Sequence, residues 1–246
     1  VHTGKLTALD ASPSESGRLE GLAYTLWLPS TPREDRAGIV ILHGAGSCKE
    51  NHHDYARLSQ AAGFAAVCFD QRGHGQSEGA MGAGAARDVT AIAALLRGRI
   101  GSKAPIALRG SSMGGYLAIV SAQLLDAAAL VAICPAGTQL LRSGLAARTF
   151  SFSVDEPAFA SFLASNDLFA AAQALAAPLL IVHAEADERV PVSQSRELAQ
   201  HVRAPGSRLI VIAGGDHRSI QHDPQLQALS LRFIEDALDE SSAAQR

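Results

Sequence analysis

Short apolar runs alternate with helix-patterned segments from about residue 20 onward, and this rhythm constrains the fold more than any other feature. "EGLAYTLWL" (20–28), "GIVIL" (38–42), "AAVCF" (65–69), "PIALR" (105–109), "AALVAIC" (128–134), "PLLIVH" (178–183) and "SRLIVI" (207–212) predict strands. "LTALD" (6–10) predicts an edge strand. Between them the spacing predicts helices over 53–62, 84–99, 113–125, 193–203 and 224–239. In the second of these, Val89, Ile92, Ala93 and Leu96 share one face, with Arg87 and Asp88 turned away. Strands joined through helices run parallel, and the helices cover both faces of the sheet. The expected architecture is therefore an α/β fold: a mostly parallel, doubly covered sheet of about eight strands in one domain, 1–246. The first two longer strands, joined across "WLPSTPREDRAG", are expected to form an antiparallel start to that sheet. The tail "DESSAAQR" is expected to fray.

One region breaks the rhythm. Residues 136–177 lack a clear strand and carry five of the eight phenylalanines: Phe150, Phe152, Phe159, Phe162 and Phe169. A segment this short is marginal for folding alone, so it reads as an inserted lid of short helices. Its phenylalanines have two open readings. They dock the lid helices, or Phe150, Phe152, Phe159 and Phe162 line an apolar slot for substrate.

Charge narrows the partners. The chain has 21 basic and 24 acidic residues, net −3, and no basic patch with interleaved aromatics, which excludes nucleic acid as the expected partner. No apolar run approaches the roughly 20 residues of a membrane-spanning helix. Cys48, Cys68 and Cys134 are odd in number and widely spaced. They predict no disulfide framework and a reducing compartment, the cytoplasm. Nothing in the pattern bears on oligomeric state.

"GSSMG" (110–114) fits G-x-S-x-G, centred on Ser112, between the strand "PIAL" and the helix "GYLAIVSAQLL". The flanking glycines remove Cβ atoms where strand and helix nearly touch. Ser112 is thereby lifted above the sheet edge. A serine hydroxyl becomes a nucleophile only when a base takes its proton. His217, in "AGGDHRS" after the last strand, offers that base. Asp187, in "HAEADERVP" after the preceding strand, offers the carboxylate that orients it. Asp216 is the rival acid, disfavoured because adjacent side chains on a turn point apart. Donors for an oxyanion are expected from the backbone N–H of Met113 and of Ala45, the latter in "HGAG" (43–46).

On these motifs the chain resembles the α/β-hydrolase superfamily, from about residue 20 to 240. "HGAG" resembles the family's oxyanion loop, and "FDQRGHGQSEG" (69–79) its D-x-R-G-H-G-x-S segment. "GSSMGG" resembles the nucleophile elbow, "HAEADERVP" the acid loop and "GGDH" the histidine loop. Two features depart from the pattern: Ala184 stands where glycine is frequent, and the segment before the acid strand is short. The resemblance implies a cofactor-independent serine hydrolase that cleaves carboxylic esters of short to medium acyl chain, with a small-molecule ester or thioester as partner. Thioesterase, acyl-aminoacyl peptidase or acyltransferase chemistry on the same triad remains open, as does a non-hydrolytic ligand receptor. A serine at the elbow argues against dehalogenase or epoxide-hydrolase chemistry, which would use aspartate.

The remaining histidines read as structural. His43 and His74 are expected to bond loop backbone and His183 to support its loop, while His52, His53, His201 and His222 are expected to face solvent. No histidine pair has metal-ligand spacing, so no metal is expected. Asp70 is expected to hold the "RGHGQS" turn through Arg72 or backbone donors. Cys48 is expected to be incidental.

Overall fold

The structure is a computed structural model that describes residues 11–31 and 37–244, with side chains through 240. The expected strand at 6–10 lies outside the described residues. The fold begins with a hairpin, β1 (Glu15–Leu19) and β2 (Leu22–Trp27). Its two-residue turn places both Glu20 and Gly21 at positive φ (50° and 83°), the geometry that matches strand twist. Then follow β3 (Gly38–Leu42), α1 (His53–Ala61), β4 (Ala65–Phe69), α2 (Ala85–Ile100), β5 (Ile106–Ser111), α3 (Met113–Ser121) and β6 (Ala129–Ile133). Three helices come next: α4 (Thr138–Ala146), α5 (Glu156–Ser165) and α6 (Leu168–Gln173). The chain closes with β7 (Leu179–Ala184), α7 (Val192–His201), β8 (Arg208–Ile212) and α8 (Pro224–Ala244). The last helix thus runs into the tail that was expected to fray. Among the described residues no helix is long and apolar enough to cross a membrane.

The eight strands form one sheet in the order β1-β2-β4-β3-β5-β6-β7-β8, with β1 and β2 antiparallel and the others parallel. One expectation needs correction. β2 and β3 are not neighbours; β2 pairs antiparallel with β4, Tyr24 opposite Phe69, and β3 lies between β4 and β5. The antiparallel start is the β1–β2 hairpin.

Successive residues of β3 serve opposite faces. Val40 and Leu42 pack with Val89, Ile92 and Leu117 of α2 and α3. Ile39 and Ile41 pack with Tyr55 of α1 and Phe233 and Ile234 of α8. A strand covered on both sides has to be apolar throughout, as the run "GIVIL" is. On α2 the apolar face is as expected, but Asp88 is not turned away: it is buried and accepts Arg72 Nε at 2.9 Å. All three cysteines are free thiols.

Candidate active site

The C-terminal ends of β3, β5, β7 and β8 meet at one edge of the sheet, where parallel α/β folds carry their sites. Ser112 sits between β5 and α3 with φ 53° and ψ −119°, a left-handed conformation that costs a non-glycine residue about 1–3 kcal/mol. Its neighbours hold it there. Ser112 N–H donates to the Ile133 carbonyl (2.9 Å), and its own carbonyl accepts from Tyr116 (3.1 Å) and Ala136 (3.0 Å). The glycines around it are obligatory for packing. A Cβ on Gly110 would collide with the backbone carbonyl of Gly114, and one on Gly114 with the carbonyl oxygens of Leu42 and His43. Strand, elbow and helix therefore close on one another only with glycine at both places.

His217 and Asp187 come together from β8 and β7. His217 Nδ1 lies 2.7 Å from Asp187 Oδ2, and both side chains are nearly sealed from solvent, 9% and 0% exposed. Asp187 Oδ1 accepts the Arg189 and Val190 N–H groups, each at 2.8 Å. Burial by itself would raise the Asp187 carboxyl. The Cys134 thiol, the Val190 N–H, His217 and the Arg189 N–H outweigh it and hold the carboxyl below the usual aspartate range. An ionised carboxylate only accepts hydrogen bonds, so His217 presents a proton on Nδ1 to Asp187, and the neutral tautomer with that proton has its lone pair on Nε2. Asp216 is occupied elsewhere: its Oδ1 accepts the N–H groups of Arg218 (2.8 Å) and Ser219 (2.9 Å).

Ser112 and His217 both line a cavity of about 380 Å³, together with Gly44, Ala45 and Gly46. Ala45 occupies a β-turn in which Ser47 N–H donates to the Gly44 carbonyl (3.2 Å) and Gly46 has φ 69°, as the third position of a type II turn requires. Met113 is the first residue of α3, and its side chain is buried.

The four phenylalanines pack against one another and against neighbouring rings. None lines this cavity among the described residues. Phe159 and Phe162 are core residues that stack on each other (6.1 Å between centroids), with Tyr116 edge-on to Phe162. Phe150 stacks on Phe152, and Phe152 on His74 at 3.8 Å. Phe159 and Phe162 lie on α5 and are buried, whereas Phe150 and Phe152 lie between α4 and α5 and are partly buried against the core.

A second corner lies at the ends of β3 and β4. His43 Nδ1 lies 2.8 Å from the Gly44 carbonyl, and its Nε2 accepts the Gln71 N–H (3.0 Å). Burial, then the nearby His74, lowers its pKa to about 4, so the ring is neutral. Asp70 accepts Lys49 N–H (2.7 Å), Lys49 Nζ (2.8 Å) and Gln76 N–H (2.9 Å). Arg72 therefore plays no part in holding Asp70, contrary to one of the two expected arrangements; it pairs with Asp88.

Sequence reasoning missed two buried cations. Lys49 is 3% exposed beside Asp70. Arg109, 1% exposed on the nucleophile strand, lies over the Tyr55 ring (4.0 Å) and donates to the Gln221 carbonyl (2.8 Å), tying β5 to the segment after His217. A charged residue inside the otherwise apolar run "PIALRG" was the available signal. His52 is also a correction: it is 1% exposed and adjoins Arg109.

Cys134, His183 and Asp187 place their ligand atoms within 4.8 Å of one another. His183 is already engaged, with Nδ1 2.6 Å from Ser195 Oγ and Nε2 2.9 Å from the Val190 carbonyl. A metal there would draw Asp187 away from His217. The His183–Ser195 pair is itself a serine–histidine contact, but both residues are fully buried and out of reach of a substrate.

Comparison with known proteins gives a consistent picture. Residues 33–152 match the family described as "Serine aminopeptidase, S33". The chain is 26% identical over 252 aligned positions to a monoacylglycerol lipase of Mycolicibacterium smegmatis, covering 83% of this chain and 88% of that one. The crystal structure of the Paleococcus ferrophilus monoacylglycerol lipase superposes with a TM-score of 0.68 at 20% identity, covering 89% and 98% of the two chains. A soluble variant of the Saccharomyces cerevisiae monoglyceride lipase, in complex with a substrate analog, superposes at 0.75 with 14% identity, covering 95% and 97%. At these identities the structural likeness is one of fold.

Proposed function

We propose that the chain is a serine hydrolase of the α/β-hydrolase superfamily that cleaves carboxylic esters through an acyl-enzyme on Ser112, a reading supported by the family match over residues 33–152 and by the monoacylglycerol lipase relative. The observation that carries the reading is the Asp187–His217 pair opening onto the same cavity as Ser112. His217 Nε2 takes the Ser112 proton as Oγ bonds to the ester carbonyl carbon. The carbonyl oxygen becomes an oxyanion and receives the backbone N–H groups of Met113 and Ala45. As the tetrahedral intermediate collapses, the carbon–oxygen bond to the alcohol breaks, and the alcohol leaves with the proton from His217. Water then gives its proton to His217 and attacks the acyl carbon. The acid departs as Ser112 Oγ regains that proton. Asp187 fixes the imidazole tautomer and stabilises its charged form.

Relatives named monoacylglycerol lipases support an ester as the bond attacked. A cavity of about 380 Å³ lies at the small end of ligand sites, which favours short to medium acyl chains. A fluorophosphonate probe tests the nucleophile: Ser112 is labelled in the folded protein and the Ser112→Ala variant is not. Turnover of 4-nitrophenyl esters of increasing acyl length is expected to peak at short to medium chains. Folded protein that resists the probe overturns the mechanism, and an optimum at long chains overturns the length assignment.

A further inference from the structure

The cavity over Ser112 carries charge of one sign. Beyond the oxyanion loop and the elbow, its walls include Arg189, Arg218, His222 and Gln221, and no carboxylate lines it among the described residues. The acids nearby are turned to other work. Asp187 holds His217, and Asp216 caps the N–H groups of Arg218 and Ser219. Asp54 pairs with His222 at 2.8 Å, and Glu188 lies 3.8 Å from Arg189 while also accepting the His217 N–H. Arg218 forms no ion pair among the described residues. No phenylalanine lines the cavity among the described residues; its walls are guanidinium, imidazole, hydroxyl and amide groups with the oxyanion-loop backbone.

We propose that the site selects esters that carry a carboxylate, held by Arg218 with Arg189 beside it. This rests on the reading of Ser112 as the nucleophile and names the substrate class that reading leaves open. A guanidinium presents a planar fork of donors that fits a carboxylate through two parallel bonds. A neutral acyl or alcohol group of the same shape leaves that fork with water only. Carboxylate binding at Arg218 places the ester between the oxyanion loop and His217, because all of these groups line one cavity.

Two pairs of chromogenic esters test this, one with the carboxylate on each side of the ester bond. The first compares the 4-nitrophenyl monoester of glutaric acid with the same compound capped as its methyl ester. The second compares 3-butyryloxy-4-nitrobenzoate with its methyl ester. In at least one pair, kcat/KM for the anionic member is expected to exceed that of the capped member by about tenfold at low salt. The ratio is expected to fall toward one in 0.5 M sodium chloride, as screening requires. It is also expected to fall toward one in the double variant Arg189→Gln, Arg218→Gln. Equal or better turnover of the capped esters in both pairs overturns the proposal, as does a preference that survives the double variant. Fluorophosphonate labelling separates the two levels. Labelled Ser112 without anion preference overturns the carboxylate subsite alone, whereas unlabelled folded protein overturns the ester-hydrolase reading and the subsite with it.

Discussion

Two corners of one sheet edge flank Ser112, and they are built in opposite ways. At the ends of β3 and β4, His43, Lys49, Asp70, Gln71 and His74 are each no more than 3% exposed and bonded to one another or to loop backbone. At the ends of β7 and β8, residues 213–216 and 218 are exposed, while the side chains of Asp187 and His217 are drawn inward. Position in the sheet explains the contrast. β3 and β4 are interior strands, whereas β8 is the last strand and is only half-buried. The chemistry proposed for each corner fits its construction. Oxyanion donors act through fixed geometry and gain from a rigid, dry support. A base that exchanges protons with serine, alcohol and water has to sit where those groups arrive. The buried corner is therefore expected to govern stability and the exposed corner turnover.

The sharpest way to break this division is a pair of matched substitutions. Asp187→Asn keeps the shape of the side chain but no longer fixes the productive His217 tautomer, so kcat on an ester substrate is expected to fall on the order of 10⁴-fold. Its loss of stability in urea unfolding is expected to be the smaller of the two. Asp70→Asn removes the fully buried one of the two carboxylates on the Lys49 ammonium, Glu50 at 2.7 Å being the other, and is expected to lower stability by about 2 kcal/mol. The folded fraction of that variant is expected to keep more activity than Asp187→Asn. A reversal of either ranking breaks the contrast between the corners.

A pH-dependent effect sharpens it. His43 takes a proton near pH 6.5 when unfolded but only near pH 4 when folded, because burial and His74 oppose its charge. Above pH 6.5 neither state is protonated and the group adds no pH dependence. As pH falls from 6.5 toward 4 the unfolded state binds more protons, so stability declines, by roughly 3 kcal/mol at most for this residue. His52, buried beside Arg109, is shifted in the same direction. Urea midpoints measured across this window are expected to drop less steeply in His43→Gln than in the parent protein. An unchanged slope would show that the buried corner does not carry this proton linkage.

Much of the fold was legible in the chain. The strands read at 38–42 and 65–69 are β3 and β4 to the residue, and the helices after β4, β5 and β7 begin within one residue of expectation. Local periodicity identifies such elements because side-chain direction repeats every 2 or 3.6 residues. It did not find β1, whose "ESGRL" is half-exposed and only weakly patterned. The candidate site was legible for the same kind of reason. G-x-S-x-G is a packing requirement as much as a chemical one, since Gly110 and Gly114 are the residues that let strand, elbow and helix approach.

The chain alone thus determined the buried strands and the helices between them, and which serine, histidine and aspartate stand at strand ends. Tertiary structure decided the rest. It set β2 beside β4, because pairing depends on partners distant in sequence that local pattern does not encode. It also decided the fate of the polar and aromatic side chains. Arg109, Lys49 and His52 are buried although their types are usually exposed, because each found hydrogen-bond or aromatic partners on other elements. Phe159 and Phe162 went to the core, Phe150, Phe152 and Phe169 packed against it, and arginines came to line the cavity over Ser112. Composition announces that a residue must be buried or bonded; only the folded chain says against what.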